Sequence, residues 1–195
     1  IFWMNIIIFG PPGAGNGTQS KFIVEKYSLY QLSTGELLRD EIKKKTDLGS
    51  QISSIINSGE LVSDEIVSKL IQNFISDQKY KDKLIFDGYP RNLNQAINLD
   101  NLLKQSNQKI NLVLNLSVSL ETIKKRISER QSQEKRSDDN EDTAIKRFKT
   151  YEKTTKPLIE YYKNSNLLKE VNGESTINEI NIKISGLIDS IKGWQ

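Results

Sequence analysis

The chain has 195 residues, a formal net charge of +3, 36% hydrophobic and 27% charged residues. With a mean hydropathy of −0.54 and no apolar run near 18 residues, this composition excludes a disordered chain and a membrane-spanning helix. Cysteine and histidine are both absent, which excludes disulfides, thiolate or imidazole metal ligands, a thiol nucleophile and a Ser-His-Asp triad.

The length predicts one domain, 1–195, with room for a small insert. The opening run to Phe9 is too short for a signal peptide and lacks its basic start and small-residue cleavage site, and Met4 reads as the natural start. Asn5 to Phe9 is an unbroken β-branched run, which predicts a strand buried on both faces. A glycine-rich turn, Gly10-Pro-Pro-Gly-Ala-Gly-Asn-Gly-Thr18, follows it. A helix comes next, with Phe22, Ile23 and Tyr27 on one side. Tyr30 to Leu32 is a second strand. Ser33 or Thr34 caps a helix reaching Lys44, and Glu36 in its first turn favours that start. Gly49–Asn57 and Ser63–Ile75 are two more helices, separated at Ser58-Gly59. Lys83–Phe86 is a strand, Asn94–Lys104 a helix with Ala96, Ile97, Leu99, Leu102 and Leu103 inward, and Asn111–Leu116 a strand.

Leu120–Arg130 is helical, and the wholly polar stretch Gln131–Asn140 reads as a loop. Glu141–Lys163 is one long helix that Pro157 kinks or ends. Leu167–Val171 is the last strand and Ile177–Ile191 the closing helix. Strands alternating with helices predict an α/β fold, a parallel sheet with helices on both faces, and ligands at the carboxyl ends of the strands. Gly10 and Asp87 both fall at such ends.

Six of the 28 cations are arginine: Arg39, Arg91, Arg126, Arg130, Arg136 and Arg147. Lysine supplies generic positive charge in this chain, so each arginine is a candidate for a place where a planar fork matters, as in bidentate binding of phosphate, with a surface salt bridge as the alternative for any one alone. The turn from Gly10 to Thr18 lets successive backbone N–H groups face inward as an anion nest, with the helix N-terminus adding its dipole. Thr18 offers a hydroxyl to a phosphate or Mg²⁺. Asp87, closing an apolar strand, resembles the carboxylate that orients Mg²⁺ directly or through water in P-loop enzymes; taken alone, a capping or turn aspartate is the other reading, and pairing with the glycine turn favours the first. A nucleic-acid partner is disfavoured, because no dense basic face with interleaved aromatics is present.

Together Gly10-Pro-Pro-Gly-Ala-Gly-x-Gly-Thr-Gln19, Leu32-Ser-Thr-Gly-Glu-Leu-Leu-Arg39, Gly59-Glu-Leu-Val62, Asp87-Gly-Tyr-Pro-Arg91 with Gln95, Arg126-x3-Arg130, and Arg136-Ser-Asp-Asp with Arg147 resemble the adenylate kinase family. Six ordered motifs span nearly the whole chain. The resemblance implies a three-layer P-loop kinase with a helical nucleoside monophosphate insert at 33–62 and a short lid at 130–140. The family's reaction is reversible transfer between ATP and AMP to give two ADP. The ATP phosphates would lie on Gly13, Ala14, Gly15, Asn16, Gly17 and Thr18, with Arg126 and Arg130 on the ATP side and the backbone near Ser175 at its base. The AMP would meet Thr34, Arg39, Glu60, Leu61, Val62, Gly88, Arg91 and Gln95, which reads the adenine edge. Arg136 and Arg147 would hold the transferring phosphoryl and the AMP phosphate. Mg²⁺ would sit by Thr18 and Asp87. The short lid leaves no room for a zinc site. A cytoplasmic monomer, with neither membrane nor nucleic acid as partner, is implied.

One position departs from the family. Its loop carries lysine after Gly15, and this chain carries Asn16. A neutral amide cannot follow negative charge in the transition state, so impaired turnover is expected. Lys21, on the following helix, is expected to face away and not to compensate. Two other readings compete: a UMP/CMP kinase, against which Thr34 argues, and a non-catalytic nucleotide-binding variant.

Overall fold

The computed structural model describes residues 3–134 and 140–192. Its centre is β1 (Asn5–Phe9), all five residues of which are buried. Side chains alternate across a strand, so Ile6 and Ile8 enter one hydrophobic layer while Ile7 and Phe9 enter the other. Burial on both faces is why the run shows no polar alternation. Parallel neighbours flank it: β3 (Leu84–Asp87) on one side and β4 (Ile110–Ser117) on the other. The edges are β2 (Tyr30–Ser33) and β5 (Leu168–Asn172), giving the order β2-β3-β1-β4-β5.

Helices cover both faces. Helices α1 (Asn16–Tyr27) and α9 (Ile177–Lys192) close one layer with Ile23, Tyr27, Ile180, Ile184 and Ile188. The opposite layer takes α3 (Asp47–Asn57), α4 (Asp64–Ser76), α5 (Leu93–Gln105) and α8 (Leu158–Asn164), through Ile52, Ile71, Leu99 and Tyr162. Between β2 and α3 runs α2 (Thr34–Lys43). Helices α6 (Leu120–Glu134) and α7 (Glu141–Thr150) join through Ile123, Ile127 and Ala144. Among the described residues no helix is long and apolar enough to cross a membrane.

Several boundaries differ from expectation for identifiable reasons. The Ser33 hydroxyl accepts from the Glu36 N–H, so Ser33, not Thr34, caps α2. Similarly Thr46 accepts from the Gly49 N–H and starts α3 two residues early. Helix α6 continues to Glu134, where a loop was expected from Gln131, because glutamine and glutamate propagate a helix without needing an apolar face. The single helix expected over Glu141–Lys163 is divided. A π-helical turn, Tyr151–Thr155, separates α7 from α8, and the Lys156 N–H reaches back to the Tyr151 carbonyl, 2.9 Å away. Pro157 lacks an N–H and its ring would collide with the carbonyl four residues back, which the wider turn avoids. Phe22 and Ile97 are exposed at 39% and 46% although both were expected inward. Each lies one residue off the buried stripe of its helix, about 100° round the axis.

Candidate active site

Gly10 follows β1 directly, and α1 starts at Asn16. Gly15, the residue before it, has φ +99°, a conformation glycine adopts without strain. Gly10 is needed for proximity instead: a Cβ there would lie 2.6 Å from the Leu116 carbonyl oxygen of neighbouring β4. The turn is therefore pressed against the sheet, with the N-terminus of α1 opening into a cleft of about 230 Å³. Gly13 through Thr18 line this cleft, as do Asp87, Arg39, Arg91, Arg130 and Arg147. Four arginines from four different elements or their flanks thus face one glycine turn.

A smaller pocket of about 60 Å³ adjoins it. Thr34, Glu60, Leu61, Val62, Gly88 and Gln95 line it, and Arg39, Arg91 and Arg147 belong to both walls. Its polar groups are locked. The Thr34 hydroxyl donates to the Gly88 carbonyl at 2.9 Å. Arg91 is held at three points: its N–H donates to Gln95 Oε1 (2.8 Å), its Nε to the Gly88 carbonyl (2.7 Å), and its own carbonyl accepts from the Thr155 hydroxyl (2.7 Å). The Gln95 amide also donates to Asp64 Oδ1 at 2.8 Å, and Asn92 donates to the same oxygen. Gln95 is 4% exposed. Expected as a free reader of an adenine edge, it is instead already engaged at both ends. One N–H and one lone pair remain to it, in an orientation set by Asp64 and Arg91.

Glycines make room for the guanidinium groups. A Cβ on Gly88 would lie 3.0 Å from Arg91 Nη2, one on Gly35 3.2 Å from Arg39 Nη2, and one on Gly59 3.0 Å from Arg147 Cγ. The turn after α3 is also tied to α7, where Lys146 pairs with Glu60 at 2.8 Å and the Thr143 hydroxyl donates to the Asn57 carbonyl.

Asp87 sits at the end of β3, in register with Ile8 of β1. Burial pushes its carboxyl above the ordinary value. The hydrogen bond from Gln31 (2.8 Å) and the charges of Arg91 and Arg39 pull the other way, while Glu36 adds to the rise. A Cβ on Gly17 would be 3.7 Å from Asp87 Oδ2, so the carboxylate approaches the first turn of α1. An acidic oxygen there, with the Thr18 hydroxyl on the same wall, is the hard donor set that Mg²⁺ takes.

Two expected site residues, Arg126 and Ser175, line neither pocket. Arg126 donates to the Ala14 carbonyl (3.3 Å) and the Gly173 carbonyl (2.8 Å), bracing the glycine turn against the turn after β5. Arg136 lies outside the described residues. Lys21, expected to face away, lines the cleft. Thr155 and Tyr151, both cleft-lining, were not anticipated; they reach the site on the π-helical turn. Burial pushes the Tyr151 phenol up to about 12, keeping it a neutral donor. Asn16 is the first residue of α1, and its Oδ1 is buried without a hydrogen-bond partner.

The comparisons agree with this geometry. The sequence profile described as "Adenylate kinase" matches residues 8–167. The adenylate kinase of Pelagibacter ubique is 44% identical, with 95% of this chain and 99% of the relative aligned. That of Prochlorococcus marinus is 45% identical over 90% and 93% of the two chains. That of Porphyromonas gingivalis is 39% identical over 97% of each. The P-loop kinase sheet, the glycine turn at its centre and these relatives together show that the chain belongs to the adenylate kinase family, phosphotransferases of the nucleoside monophosphate kinase type.

Proposed function

We propose that this protein transfers a phosphoryl group between ATP and AMP, forming two ADP, and that Asn16 makes it slow. One observation carries the reading: a glycine-turn cleft and a smaller side pocket share a wall containing Arg39, Arg91 and Arg147. A triphosphate on Gly13–Thr18 and a monophosphate in the side pocket would bring their reacting ends to that wall. Segment 33–62 would act as the acceptor-binding insert and 130–140 as the lid.

The chemistry asks little of a base. The attacking AMP phosphate is already an anion near neutral pH, so the lack of histidine is no obstacle. Catalysis is the alignment of two polyanions and stabilisation of the spreading charge. Arg91, rigid at three atoms, would hold the acceptor phosphate, and Arg39 would grip it from α2. Arg147, with Arg136 from the expected lid, would meet the transferring group. Arg130 would meet the ATP phosphates directly. Arg126 would act one step back, by fixing the turn that holds them. Closure of the lid segment would exclude water and so suppress hydrolysis. Asp87 and Thr18 would hold Mg²⁺, which would supply neutralisation of the polyphosphate charge.

The missing lysine charge would cost about 3–5 kcal/mol in the transition state, roughly 10²–10⁴ in rate. The uncharged Asn16 also favours a second reading, binding without turnover. One assay separates them: ADP formation from ATP with AMP, UMP or CMP, on the native chain and on Asn16→Lys. Slow turnover with AMP alone, raised by the substitution, is the expected result. Preference for UMP or CMP would reassign the acceptor. No gain on restoring lysine would refute the account of Asn16.

A further inference from the structure

We infer that Lys21 supplies, from the next turn and a half of the same helix, the phosphate-binding charge that position 16 lacks. The inference rests on the kinase reading above and goes further, because it assigns a ligand role to a side chain outside the glycine turn.

The geometry is that of α1. Lys21 lies on the same helix face as Gly17 and Thr18, four and three residues before it. Helical side chains lean toward the N-terminus, so a lysine covers the turn preceding its own Cα. Lys21 starts about 7.5 Å along the axis and about 140° round it from Asn16, at 1.5 Å and about 100° per residue, so its four-carbon stem approaches the turn obliquely, from the side of Gly17 and Thr18. Its side chain lines the cleft wall together with the turn and Asp87. Among the described residues it makes no ion pair, although Glu25 stands four residues further on. Glu36 and Asp87 are acidic side chains lining the same cleft, and Arg39 lines it as well. An ammonium at this place is available to a polyphosphate and is not consumed by a structural partner.

Lysine suits this role better than arginine would. A flexible stem carrying a point charge can approach from a shifted origin, whereas a fork needs a defined plane. Asn16 contributes a neutral amide at the original position, with its Oδ1 unpartnered. The pair Asn16 and Lys21 therefore divides between two residues what one lysine does in the family's usual turn: contact and charge.

A double-mutant cycle tests this directly, using the native chain, Lys21→Met, Asn16→Lys and the double variant. In the native chain Lys21→Met is expected to lower kcat roughly 10- to 100-fold. In the Asn16→Lys chain the same change should cost less than about threefold, because the charge is then supplied from position 16. Lys21→Arg should retain part of the native rate, and within each position-16 background the thermal melts of the position-21 variants should coincide, since Lys21 is exposed. Equal losses in both backgrounds, or no loss in the native chain, would overturn the inference. Activity of Asn16→Lys with AMP reports separately on the kinase reading. Should all four chains turn over too slowly to compare, the cycle is read in the ATP dissociation constant by calorimetry. A coupling between the two positions below twofold there would count against Lys21 equally.

Discussion

The two halves of the cleft are built on different principles. On the acceptor side, side chains hold side chains: Thr34 on Gly88, Gln95 between Asp64 and Arg91, Arg91 pinned at three atoms. On the glycine-turn side the ligand-facing groups are backbone, the helix N-terminus and the Thr18 hydroxyl, and the Asn16 side chain beside them has an orphaned oxygen. The first half is rigid by mutual hydrogen bonding and would lose geometry if any member changed. The second is shaped by glycines and by close approach to β4, with the neutral amide of Asn16 at the helix start.

The sharpest way to break this contrast is Arg91→Lys. It removes the fork while keeping the charge, and it leaves the Gly88 carbonyl with the Thr34 hydroxyl alone. A loss of roughly 10²–10³ in kcat/KM for AMP is expected, with ATP affinity nearly unchanged. A comparable loss of ATP affinity would mean that the halves are not separately built. Next in size is Thr155→Val. Thr155 is buried and donates to the Arg91 carbonyl, so stability should fall by about 1–2 kcal/mol. KM for AMP should rise several-fold with kcat for saturated enzyme little altered. Steady-state kinetics and denaturant melts check both.

The smallest effect sharpens the comparison from the other half. The raised pKa of Asp87 means the folded chain binds this proton more tightly than the unfolded chain. The ionised carboxylate therefore opposes folding, and the stability it withholds grows as pH rises through the folded-state value. Asp87→Asn should raise Tm by about 2 °C at neutral pH while lowering Mg²⁺-dependent activity. The gap in Tm between variant and native should close as pH falls below the ordinary carboxylate range. A gap unchanged by pH would show that burial of this charge is not its source.

Much of the frame is legible residue by residue. Asn5–Phe9 cannot be other than a doubly buried strand. Ser33 and Thr46 carry their capping oxygens in the sequence, as do Asn92 and Asn140, whose side chains accept from Gln95 and Thr143. The site was less legible where a role depends on direction. Arg126 and Arg130 are one turn apart on α6, yet one braces two carbonyls and the other faces the cleft. Gln95 sits where the family motif has it, but its engagement by Asp64 crosses from α4 to α5 and has no local signal. The π-helical turn that delivers Thr155 and Tyr151 precedes Pro157; that the proline interrupts the helix is legible in the sequence, but the wider turn that the interruption takes is not.

The amino-acid order alone settles this protein's strands, its glycine turn, its capped helices and its family, because each rests on contacts within a few residues or on motifs in a row. It leaves open which charged side chains meet in the cleft, including the inward placement of Lys21 and the withdrawal of Arg126. Those depend on how helices from distant parts of the chain are rotated about their axes when they pack on the sheet. A rotation of one residue, about 100°, moves a side chain from solvent to the cleft, and only burial of the whole apolar layer selects it.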